Sequence, residues 1–122
     1  MTILNRDAIL LASDLKAETV PVPEWGGEVL VRGMTASERE HYAMMVTEFG
    51  PDGKPTGKQV LGKTQSAMVA MCVIDENGER LFTDTDADAL GKKSAKALER
   101  VFSVAARLSA LNDEAVSQAK NG

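Results

Sequence analysis

The sequence predicts an α+β domain that is mainly α-helical: a short N-terminal helix, a β-hairpin, then a packed bundle of about three to four helices. Three observations lead there. Valines alternate with other residues on both sides of Gly26-Gly27, as two paired strands require. Thr35 and Glu38 have the spacing of a capping box that opens an amphipathic helix. Two later segments, near 59–74 and 94–111, repeat apolar residues at helical intervals. A chain of 122 residues supports one core, so a single globular domain is expected over 1–111, with 112–122 a polar tail.

Asn5 before "RDAILLA" suits a short capped helix with Ile9, Leu10 and Leu11 on its apolar face, ending near Ser13. The hairpin follows over about 18–32. In "ETVPVPEW" Val20 and Val22 alternate with Pro21 and Pro23, which only an edge strand tolerates because proline gives the ladder no N–H. Gly26-Gly27 allows a tight turn, "EVLVR" returns, and Gly33 closes the pair. A helix should run from about 36 to 49, with Tyr42, Met45, Val46 and Phe49 on one face and Met44 off it. "GPDGKPTGK", 50–58, reads as an exposed, mobile loop.

From about 59 to 74 apolar residues surround the helix almost completely, which makes it the central helix or one with a side that a partner covers. "DENGERLF" is a turn with Asn77-Gly78 at its apex and a minimal second hairpin around it. "TDTDADALG" starts a short helix capped by Thr83, Asp84 or Thr85. The last long helix, about 94–111, turns Leu98, Val101, Phe102, Ala105 and Leu108 inward.

Composition excludes several function classes. A net charge of −4 argues against nucleic acid, which needs a concentrated basic footprint, and Lys92, Lys93 and Lys96 are diluted by nearby acids. No apolar run approaches the roughly 20 residues of a membrane span. The N-terminal apolar segment is interrupted by Asp7 and has no basic leader, so no secretory signal is expected and a soluble cytoplasmic protein is. The lone Cys72, inside "MVAMCVI", reads as a buried thiol.

No enzyme, cofactor or metal site is expected. Asp84, Asp86 and Asp88 occupy the first, third and fifth positions of a calcium loop, but Ala89 stands where glycine is required and Ala95 where the bidentate glutamate belongs. Acidic residues at a helix start already have a reason in the macrodipole. His41 is the only histidine, so no zinc set can be assembled, and no nucleophile-elbow sequence accompanies it. The 50–58 segment lacks the order of a phosphate loop. Six methionines are many for this length, and flexible thioethers suit either irregular core filling or adaptable protein contacts.

The order "NRDAILLASDL", "VPVPEWGGEVLVRGMTASERE" and "AMCVIDENGERLFTDTDADALGKKSAKALERVFSVAARLSALN" resembles the tail assembly chaperones of long-tailed bacteriophages and prophages. The resemblance covers nearly the whole chain. It implies a chaperone that coats the tape measure protein, keeps it soluble and helps recruit tail tube subunits, with copies adding by avidity and self-associating along that chain. The contact residues it suggests are Met44, Met45, Met68 and Met71, with Phe49 and Val69 beside them. It also implies action in the host cytoplasm and absence from the mature virion. The family often makes a longer product by ribosomal frameshifting, and "AKNG" permits this, since Ala119, Lys120 and Asn121 can be encoded by GCA AAA AAC with its slippery A AAA AAC. Through that product the major tail tube protein becomes a second partner. The alternative is a small structural tail or connector protein retained in the virion.

Overall fold

The computed structural model describes residues 2–111, so the polar tail expected over 112–122 lies outside the described residues. Among them, five α-helices accompany a three-stranded antiparallel sheet and a separate two-stranded one. The fold is α+β and mainly helical, as the sequence predicts.

Helix α1, Arg6–Leu11, starts where Asn5 Oδ1 accepts the Ala8 amide at 2.8 Å. Strands β1, Ala17–Val22, and β2, Gly27–Arg32, pair antiparallel with Val20 opposite Val29. The Gly33 amide donates to the Lys16 carbonyl, so the backbone groups of Glu18, Val20 and Val22 face β2 while those of Ala17, Thr19 and Pro21 face outward. Pro21 thus places its missing N–H on the open edge, where it breaks no ladder bond. The turn is longer than a two-glycine turn. Pro23–Trp25 form one turn of 3-10 helix, closed by Gly26 in the left-handed region at φ 81°, and Gly27 already belongs to β2.

Helix α2, Ala36–Val46, carries the complete capping box: Thr35 accepts from the Glu38 amide and Glu38 from the Thr35 amide. It ends three residues before the expected boundary. The Thr47 hydroxyl bonds back to the Ala43 carbonyl, and β3, Thr47–Phe49, pairs with β4, Pro55–Gln59. The segment expected to be a loop is therefore a hairpin. Its turn is held by Asp52 Oδ1 on the Lys54 amide and by Gly53 at φ 79°.

Helix α3 is also shorter than expected, Thr64–Cys72, and every residue from Ser66 to Cys72 is buried. It is the central helix, packed on α5, α4 and α2. Val73–Ile74, read as its last turn, instead form β5 and pair with β2, giving sheet order β1-β2-β5. The small second hairpin exists as a bridge between Ile74 and Arg80 around Gly78. Thr83 caps the next segment through Asp86, leading to the short α4, Ala87–Leu90.

Helix α5, Ala95–Leu108, begins at Ser94 and buries Ala97, Leu98, Val101, Ala105 and Ala106; Phe102 and Leu108 are only partly buried. It lies against β1 and β2, bracketed by ion pairs from Arg107 to Glu18 and Arg100 to Glu24. The Leu111 amide reaches the Ala106 carbonyl and the Ala110 amide that of Arg107, a Schellman ending. Ala110 sits at its left-handed position, φ 62°, where glycine is usual. Ala110→Gly should raise stability by about 0.5–1 kcal/mol in denaturant titration, because an L side chain is strained there.

Candidate partner-binding surface

The junction of hairpin and α2 sets the position of the exposed residues. Arg32, the last residue of β2, donates to both Glu38 oxygens at 2.8 and 3.1 Å and to the Gly33 carbonyl. Both side chains are largely covered, and the geometry is the bidentate one that makes a strong pair. Burial pushes the Glu38 carboxyl up, but the bonds from Arg32 and the Thr35 amide outweigh it and hold the group below its usual range. The Glu38 contribution to stability should therefore be complete above about pH 4.5, its ordinary pKa. It should fade as pH falls through the lower folded value. Acid unfolding of Glu38→Gln compared with the parent checks this: the gap between them should close as pH drops.

Beyond this junction α2 and β3 present Met44, 61% exposed, and Phe49, 42% exposed. Met45, between them in sequence, is partly buried against the core. The other three expected contact residues lie elsewhere. Met68 and Met71 are 1% exposed and Val69 0%, all inside α3. The contact role suggested for them does not fit this conformation: seven consecutive buried residues make α3 the core itself, with no uncovered side. Core filling is what those methionines do.

The groups that resembled chemistry are occupied by structural bonds. Asp84 accepts from Arg80 at 3.0 Å and meets His41 Nε2 at 2.7 Å, and the bond to His41, then that from Arg80, holds its carboxyl low. Asp86 caps Thr83, and Asp88 pairs with Lys63 at 2.7 Å. The three aspartates thus serve separate partners rather than one centre. Burial pushes the Cys72 thiol up to about 11, so it is an inert core residue. The Tyr42 hydroxyl, raised by burial to about 12, donates to the Thr64 carbonyl and ties α2 to α3.

Two surfaces escaped the sequence reading. Ile9, Leu10 and Leu11, expected to supply an apolar face, are all exposed, and no residue of α1 is buried. With Ile3, Leu4 and Leu15 they place six exposed large apolar residues in the first fifteen positions. That density was visible in the sequence, but not its lack of cover. The second surface is a shallow groove of about 350 Å³ lined by Glu24, Trp25, Phe82, Leu90 and Lys93. It lies where the tip of the β1–β2 hairpin meets α4 and the residues leading into α5. Its Glu24 is bonded by Arg100 at 2.8 and 3.1 Å, which holds the carboxyl down at about 2.

A small α+β domain with exposed large apolar side chains near its N-terminus and at Met44 and Phe49 has a feature common to protein-binding modules. A family model described as phage tail assembly chaperone matches residues 5–120, and the chain belongs to that family. Among solved structures it is similar to the tail assembly chaperone of bacteriophage HK97, with TM-score 0.55 and 18% identity, over 84% of this chain and 94% of that one. At that identity the likeness shows a shared fold. Among curated proteins, none matches this sequence.

Proposed function

We propose that this protein binds the tape measure protein, the long helical chain that sets phage tail length, keeps it soluble, and helps bring tail tube subunits to it. Membership of the tail assembly chaperone family carries this reading, since that role is one of assembly rather than catalysis. The exposed pair Met44 and Phe49, flanked by Met45, supplies apolar anchors for a helical partner. A flexible thioether tolerates many local sequences, as a chaperone of a long chain needs. Many weak contacts along one chain add by avidity, and a net charge of −4 favours solubility of the loaded complex.

The protein acts in the host cytoplasm and leaves before the particle is finished. A frameshifted longer product would carry the contact to the major tail tube protein, and the coding DNA decides that point through the presence or absence of A AAA AAC at Ala119–Asn121. Co-expression with the tape measure protein tests the main reading. The tape measure chain should be soluble and co-purify only when this protein is present; equal solubility without it overturns the proposal. Mass spectrometry of purified virions separates a departing chaperone from a retained tail or connector protein, because only the latter is found there.

A further inference from the structure

The groove at the tip of the β1–β2 hairpin combines aromatic side chains with a positive rim. Trp25 and Phe82 are partly buried against the core, Leu90 is 6% exposed, and Lys93 stands exposed beside them. Lys96 is close enough for its charge to help hold the Glu24 carboxyl low. In sequence these two lysines and Lys92 look diluted by nearby acids, but in the structure those acids are engaged. Glu24 is bonded by Arg100, Asp84 by Arg80 and His41, Asp86 by the Thr83 amide and hydroxyl, and Asp88 by Lys63. Among the described residues, Lys92, Lys93 and Lys96 have no carboxylate within ion-pair distance. A domain of net charge −4 thus concentrates uncompensated positive charge at one apolar groove.

We propose that this groove docks a short acidic segment of another protein, with one large apolar side chain seated on Trp25, Phe82 and Leu90 and flanking carboxylates meeting Lys93 and Lys96. The volume, about 350 Å³, lies at the small end of the range for binding pockets, about 300–1,000 Å³, and so takes a single anchor rather than the face of a helix. Aromatic residues in a partly desolvated patch are the type that carries binding energy. Charge complementarity decides the flanking chemistry: the lysines attract carboxylates, and Glu24, neutralised by Arg100 at 2.8 and 3.1 Å, does not repel them. Three lysines on an acidic domain fall short of the footprint that a nucleic acid needs.

Trp25 is the only tryptophan, so its emission reports the groove directly. The probe is a synthetic peptide in which leucine and phenylalanine are flanked by aspartate and glutamate, with no tryptophan of its own. Titrated into the full chain, it should shift Trp25 emission saturably, with an affinity that falls as salt is raised. The same peptide with lysine in place of every acid should not bind. Lys93→Glu combined with Lys96→Glu should weaken binding of the acidic peptide by about tenfold or more, with the thermal melt of the parent. If that melt changes, Lys93→Gln with Lys96→Gln replaces it and should weaken binding in the same direction. The proposal is overturned by an emission that does not respond to the acidic peptide up to millimolar concentration, by equal binding of the lysine peptide, by a double variant that binds like the parent, or by tighter binding of a single-stranded oligonucleotide. An emission that changes with protein concentration alone places a second copy in the groove and overturns it too. The groove shares no residue with the Met44 and Phe49 surface, so failure here leaves the tape measure reading standing.

Discussion

Met71→Ala should destabilise the domain by about 2–5 kcal/mol, the range for emptying a large, fully buried side chain whose neighbours cannot collapse into the space. Met71 is 1% exposed in a helix with no uncovered face, packed most heavily on α5. For a domain of this size the melting temperature falls by roughly 10–20 °C. Met44→Ala provides the contrast. Its side chain is 61% exposed, so stability should change by about 0.5 kcal/mol or less, while tape measure binding weakens. The two methionines should thus separate folding from the proposed binding: thermal unfolding of the two variants reads the first, and co-purification of the tape measure protein the second. A Met71→Ala protein as stable as its parent would mean that α3 is not the core.

The second large effect is expected at Gly33. Its φ is ordinary, so conformational freedom is not why glycine stands there. A Cβ at this position would come within 2.5 Å of the Leu108 carbonyl oxygen and 3.0 Å of its carbon, and both are backbone atoms that cannot swing aside. The same contact brings the Met34 amide to the Ser109 hydroxyl at 2.9 Å. Gly33→Ala should therefore push the end of α5 away from the β2–α2 junction and cost about 3 kcal/mol, the upper part of the overpacking range. Denaturant unfolding checks it. An unchanged midpoint would show that the close approach of α5 to Gly33 is wrong.

These two sites also show what could be read from the residues alone. The role of Gly33 as the end of the hairpin was legible, but its contact with Leu108 was not, because it depends on a helix 75 residues further on. The all-round apolar pattern of 59–74 correctly marked the central helix, and Thr35 with Glu38 correctly marked the start of α2. Boundaries failed where long-range pairing overrode local pattern. Val73 and Ile74 continue a helical run in sequence, yet they complete a strand against Val31 and Leu30. Phe49 fits the stripe of α2, yet it pairs with Pro55 in a hairpin whose glycines and prolines read as loop. The contact residues divided for the same reason. Methionine content fits either core filling or an adaptable contact surface, and only packing decides that Met44 remains outside while Met68 and Met71 go in.

The central claim is that the exposed α2–β3 surface holds the tape measure protein in solution. The most direct measurement is the soluble fraction of that protein when co-expressed with the wild-type chain or with a Met44→Asp, Phe49→Asp double variant. Both positions are more than 40% exposed, and a thermal melt of the variant checks that it still folds. The account predicts that the tape measure protein then becomes insoluble and no longer co-purifies. Equal solubility and co-purification with the double variant would contradict it.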